Sequence, residues 1–207
     1  MLVYDDLSLY PLYHYVPMCY YEDKLIEEYC QLDKITSPIN AEFNDDVLNL
    51  FIDEIVDSEG KTVVRIGRKT VICLDMWFCW KIINGNKGDI EKIGRGLNAK
   101  FDDYISEYYV DGYCDDNKSV RKELGLYFKE GNITVNFDGN DLAEYDQSYK
   151  CYIQISGYEE DIPLQFAVPI FSNYCILVDT ESEQIAFSPR KEGKKLKWKE
   201  CFPLRGV

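Results

Sequence analysis

The chain has 207 residues, 46% of them hydrophobic, which is enough for one domain with a buried core. Its formal charge is −14, and it holds a single histidine, His14. Nucleic acid and anionic membrane surfaces need clustered Lys and Arg, so this balance argues against both as partners. No stretch approaches the roughly 18 apolar residues of a membrane-spanning helix.

In chain order, residues 1–18 read MLVYDDLSLYPLYHYVPM. Acidic residues and prolines break every apolar run there and no basic start precedes it, so no signal peptide is expected. That leaves a fragment of a longer protein or a cytosolic chain as readings. Residues 22–32 set Leu25, Ile26, Tyr29 and Leu32 on one face with Glu27 and Glu28 opposite, which predicts a helix. Runs rich in β-branched and aromatic residues, bounded by Gly, Asn or Asp, predict strands at 47–52, 70–74, 133–137, 151–155 and 174–178. A second helix is expected over 89–99, with Ile90, Ile93 and Leu97 on one face and Asp89 as its N-cap. Gly94 and Gly96 weaken it. The 17 tyrosines read as packing and sheet faces. The basic run Arg190-Lys191-Glu192-Gly193-Lys194-Lys195 reads as a solvated end. The expected class is mostly β, with two or three short helices.

Eight cysteines occur, Cys19, Cys30, Cys73, Cys79, Cys114, Cys151, Cys175 and Cys201, none in a C-x-x-C pair. With one histidine besides, zinc is not expected, and neither is any other metal or cofactor. An even count permits disulfides and leaves their pairing open. Asn117-Lys118-Ser119 and Asn132-Ile133-Thr134 are N-x-S/T sequons, relevant only in a secretory setting. Gly94-Arg95-Gly96 lacks the strand-turn-helix context of a phosphate loop. His14 has no partners for a catalytic triad in its Tyr/Pro-rich surroundings.

The order of several segments is more informative than any one of them. Residues 47–57, then Gly60-Lys61-Thr62-Val63, then 70–75 give a strand pair with a G-K-T-V turn, leading into an apolar strand that ends at Asp75. Leu97-Asn98-Ala99-Lys100-Phe101, then YYVDGYC at 108–114, GNITVNFDG at 131–139, KCYIQI at 150–155 and YCILVDTESEQIAF at 174–187 follow. Together, over residues 47–189, they resemble the C-terminal lobe of the pepsin-type aspartic proteases, and look most like the secreted aspartic proteases and yapsins of yeasts. The resemblance implies a single lobe of the pepsin-like double-ψ β-barrel fold within one domain, 1–207. Residues 1–46 are then a weakly matched N-terminal segment with a helical insertion, and 190–207 a tail.

Enzymes of that family hydrolyse peptides with two carboxylates that share one proton, one Asp from a D-T/S-G turn in each lobe. Here the corresponding turn is Asp75-Met76-Trp77. The carboxylate is kept, but Met replaces the hydroxyl residue and Trp replaces the Gly that lets backbones approach. The family's second supporting motif, hydrophobic-hydrophobic-Gly, reads Gln165-Phe166-Ala167, followed by Val168 where an Asp often sits. No second D-T/S-G occurs in the chain; Asp179-Thr180-Glu181 falls on the closing strand-turn. The resemblance implies an aspartic endopeptidase, and these substitutions argue against activity of this chain alone. Its implied partners are peptides or proteins, and a separate N-terminal lobe or a second copy that would bring two Asp75 residues together. A non-catalytic peptide- or protein-binding module, or the product of a truncated, decayed protease gene, are the alternatives. The resemblance also implies a Cys114–Cys151 disulfide and a secretory, extracellular or vacuolar setting.

Overall fold

The structure is a computed structural model that describes residues 30–44, 47–73, 81–114, 122–139, 141–171, 173–179 and 182–191. Fourteen strands, one α-helix and two 3-10 turns occur among these residues, so the fold is mostly β. In chain order the elements are β1 (Ile39–Asn44), β2 (Val47–Asp57), β3 (Thr62–Cys73), β4 (Ile83–Asn86), α1 (Lys87–Gly96), β5 (Lys100–Asp102) and β6 (Glu107–Asp111). β7 (Glu123–Phe128), β8 (Ile133–Asp138), β9 (Ala143–Gln147), β10 (Lys150–Ile153) and β11 (Ile155–Tyr158) follow. The last are β12 (Gln165–Ala167), β13 (Tyr174–Asp179) and β14 (Gln184–Pro189).

The larger sheet runs β11-β4-β12-β3-β2-β1-β14-β13, with β7 paired to β2 and carrying β8. The smaller runs β5-β6-β10-β9. β2 organises the larger one. Its first half buries Leu48, Leu50 and Ile52 and leaves Phe51 outward, the period of a half-buried strand. That half pairs with β1 (Ala41↔Leu50), and the second half with β7 (Glu54↔Tyr127). Between the halves, Ile52 faces Arg68 and Glu54 faces Arg65, so β3 carries one extra residue opposite Asp53, a bulge at Ile66 and Gly67 that bends the ladder where β2 passes from one neighbour to the next. The Asp53 carboxylate uses the bend to accept the Lys129 N–H at 2.8 Å, in the β7–β8 turn.

Two pairings in the larger sheet are parallel. β11 runs beside β4, and three-residue β12 lies between β3 and β4, parallel to the first (Phe166↔Ile72) and antiparallel to the second (Phe166↔Ile83). Parallel neighbours need a long crossover, and the one from β3 to β12 contains α1 and the whole smaller sheet. Both sheets share one core, which includes Leu50, Ile72, Ile90, Leu126, Phe137, Ile153 and Phe166.

Helix α1 starts earlier than the apolar spacing implies. Asn86, and not Asp89, is the N-cap: its Oδ1 accepts the Asp89 N–H at 3.0 Å, while its Nδ2 donates to Asp89 Oδ2 at 2.9 Å. Asp89 thus holds the third helical position, where a carboxylate answers the cap residue and suits the helix N-terminus. Close packing accounts for the glycines. A Cβ on Gly94 would stand 3.0 Å from the Tyr108 ring, and one on Gly157 of β11 would stand 3.1 Å from the Lys87 Cα.

Three other expectations are corrected. Of the helix expected over 22–32, residues 22–29 lie outside the described residues, and the rest is not α-helical. Cys30 forms a β-bridge with Arg190, the Gln31 N–H donates to the Pro189 carbonyl, and a 3-10 turn spans Leu32–Lys34. The strand expected at 151–155 is two strands in different sheets. Gln154 divides them, its N–H bonded to the Leu142 carbonyl and its carbonyl to the Ile83 N–H. The basic run is not wholly a solvated end: Arg190 Nε donates to the Tyr174 carbonyl at 3.0 Å, and Gln31 Nε2 donates to the Arg190 carbonyl.

Candidate functional site

β3 ends at Cys73, two residues before Asp75. Asp75, Met76 and Trp77 themselves lie outside the described residues, as do His14 and the Asn117 sequon. The structure does describe what flanks the end of β3. Ala167 stands in register with Cys73, and its N–H donates to the Ile82 carbonyl at 2.8 Å. Ala167 and Cys73 are both buried and form a small cluster of their own, with Val71 packed against it. Phe166, next along β12, is fully buried in the main core. Val168 then leaves β12 into the 3-10 turn Val168–Phe171. The methyl at 167, where the resemblance calls for glycine, is therefore buried against β3, and a hydrogen bond fixes the backbone there.

β4 adds a residue that pattern reading does not single out. Asn84 is 3% exposed and sits opposite Gln165 of β12. Its Nδ2 donates to the Lys81 carbonyl at 2.8 Å, and its Oδ1 is buried with no hydrogen-bond partner among the described residues. An unpaired buried amide oxygen costs about 1–3 kcal/mol. In the sequence, Asn84-Gly85-Asn86 reads as a turn, so no signal marks Asn84 as buried.

Lys81, just before β4, ties this edge to the smaller sheet. Its Nζ bonds Glu107 of β6 at 3.1 Å and Glu144 of β9. Burial works against the Lys81 charge, but the hydrogen bonds to Glu144 and Glu107 outweigh it and raise its pKa. Burial likewise opposes the Glu107 charge, and hydrogen bonds from Tyr145 and Lys81 overcome it, so its pKa is lowered. The Glu107 carboxylate in turn pushes the Tyr145 phenol up to about 12. Beside this group, Tyr109, Tyr152 and Tyr145 stand in register across β6, β10 and β9, with Tyr145 stacked on Tyr152 at 4.8 Å. Lys150 lies 4.3 Å from the Tyr109 ring centre and bonds Asp102 at 2.5 Å; that bond lowers the Asp102 pKa. Lys150 at Asp102, and Tyr145 together with Lys81 at Glu107, thus favour the ionised carboxylates.

Cys114 and Cys151 are joined, with Cα atoms 4.8 Å apart. Asp146 lies with the two sulfurs within 4.8 Å, a grouping of ligand-type side chains. The sulfurs are bonded to each other, however, so neither offers a thiolate, and Asp146 accepts the Cys114 N–H at 2.6 Å. Cys30 and Cys175 are joined as well, and Cys73 is disulfide-bonded. No family model matches the chain, and no curated protein matches it significantly.

Proposed function

We propose that the chain is an aspartic-peptidase-type lobe, of the pepsin C-terminal kind, that does not hydrolyse peptides by itself. The observation that carries this reading is the insertion of β12 parallel to the end of β3, directly before Asp75 in the chain. Residues 165–167, which the resemblance names as the second supporting motif, pair in parallel with 71–73 at the end of the strand that leads to Asp75, and this pairing supports the reading. The same junction supports the loss of catalysis. The buried Ala167 methyl stands where glycine is called for, and Met76 and Trp77 replace the hydroxyl residue and the glycine of the turn. Peptide hydrolysis needs an activated water within hydrogen-bond reach of two coupled carboxylates. Tryptophan at 77 puts the bulkiest side chain where the resemblance calls for glycine and a close backbone approach.

An assay of the disulfide-bonded chain on unfolded protein and peptide substrates at pH 3–6, with pepstatin as control, tests the reading. No turnover is expected from the wild type, and none from Met76→Thr combined with Trp77→Gly, because that variant restores only one turn. Pepstatin-sensitive turnover by the wild-type chain would overturn it.

A further inference from the structure

We infer that Asn132 is an acceptor site for an N-linked glycan, added when the chain enters a secretory pathway. This stands independently of the peptidase-like reading and begins from the cysteines. All five described cysteines are disulfide-bonded. Structural disulfides on this scale form and persist in oxidising compartments, and those compartments also house the transfer of glycans to N-x-S/T asparagines.

The local geometry meets the demands of the modification. Asn132 closes the turn between β7 and β8 with φ 51°, a left-handed conformation that asparagine tolerates better than most residues. The turn is held from elsewhere: the Lys129 N–H by Asp53, and Glu130 by the Asn40 N–H at 3.2 Å and the Asn40 Nδ2 at 2.5 Å. Asn132 is exposed; among the described residues its Oδ1 accepts only the Tyr127 hydroxyl, at 3.3 Å, and its Nδ2 donates no hydrogen bond. Thr134, the hydroxyl residue of the sequon, is also exposed, on β8 opposite Tyr127. Ile133 between them is 6% exposed and packs in the core. The folded hairpin cannot offer the sequon as an extended peptide, so transfer precedes hairpin closure and the finished fold leaves the glycan in solvent. In the step, Asn132 Nδ2 forms a bond to the anomeric carbon of a lipid-diphosphate-linked oligosaccharide. The anomeric C–O bond breaks, the lipid diphosphate departs, and one amide proton passes to a base of the transferase.

The test directs the full chain into the secretory pathway of a eukaryotic cell and maps the secreted, disulfide-bonded product. Trypsin releases residues 130–150 as one peptide, free of the Asn117 sequon. After an amide-cleaving glycosidase, position 132 is expected to read as aspartate in most of the chain. The glycan should persist in Asn117→Gln and Thr134→Ser, and disappear from this peptide in Asn132→Gln and Thr134→Ala. Recovery of the wild-type peptide with asparagine at 132 throughout would overturn the inference, as would a glycan that survives Thr134→Ala.

Discussion

Lys81 reaches two carboxylates on different strands, Glu107 and Glu144, from the residue that precedes β4. Partly buried ion pairs with good hydrogen bonds stabilise more than exposed ones, and Glu107→Gln is expected to cost about 1 kcal/mol near neutral pH. The pH dependence follows from the lowered Glu107 pKa. A carboxylate whose folded pKa lies below its unfolded value stabilises the fold above the unfolded value, 4.5, and loses that contribution as pH falls through the folded one. The melting temperatures of wild type and Glu107→Gln should therefore differ at pH 7 and converge as pH falls below 4.5. A gap that stays constant through that range would remove the ion pair from the explanation. None of this trio is legible in the sequence, because Lys81, Glu107 and Glu144 have no shared period and meet only when β4, β6 and β9 are assembled.

At the scale of elements, the packing of α1 on β11 depends on the absence of a side chain at Gly157. A valine there would push against the Lys87 Cα and the Ile90 side chain, and overpacking of this sort typically costs about 1–3 kcal/mol. Urea unfolding of Gly157→Val should show a lower midpoint with an unchanged slope; an unchanged midpoint would mean that the helix shifts without cost. The two described disulfides should rank by loop length. Cys30–Cys175 closes a separation of 145 residues and Cys114–Cys151 one of 37. Chain entropy then assigns about 5 and about 4 kcal/mol to them. Removing each pair by double Cys→Ala replacement and measuring unfolding should show the larger loss for Cys30 with Cys175, and the reverse order would contradict this.

The elements differ in how far sequence alone exposes them. β2, β8 and β13 show clear alternation or β-branched runs, and the core of α1 shows in Ile90 and Ile93. The start of α1 does not, since Lys87 and Gly88 carry no apolar signal. The division of 151–155 is hidden because Gln154 continues an ordinary polar-apolar alternation while its backbone bonds leave the sheet. β12 is three residues long, and its partner β3 lies far back in the chain, so no local pattern marks it. The pairing of Cys30 with Cys175 could not be chosen from eight cysteines, which allow on the order of 100 pairings. The resemblance pairs Phe166, Ala167 and Val168 with Asp75, but nothing in their types tells which way β12 runs or that Asn84 is buried alongside.

Over the whole molecule, one crossover carries the architecture: the chain leaves β3 at Cys73, builds α1 and the smaller sheet, and returns as β12 between β3 and β4. Phe166 anchors that return, fully buried in the shared core. Phe166→Ala should destabilise the fold by about 3–5 kcal/mol, measured by chemical unfolding; a loss under about 1 kcal/mol would mean that β12 is not held as described. Under the proposed function, the chain holds no working pair of aspartates. Pepstatin binds where two aspartates share a proton across paired turns, so calorimetric titration of the disulfide-bonded chain with pepstatin at pH 3–6 tests for that site without needing turnover. The expected result is no heat beyond dilution at any chain concentration. Saturable binding lost in Asp75→Asn would contradict the claim, because it would mean that the Asp75-Met76-Trp77 turn still builds a paired-carboxylate site.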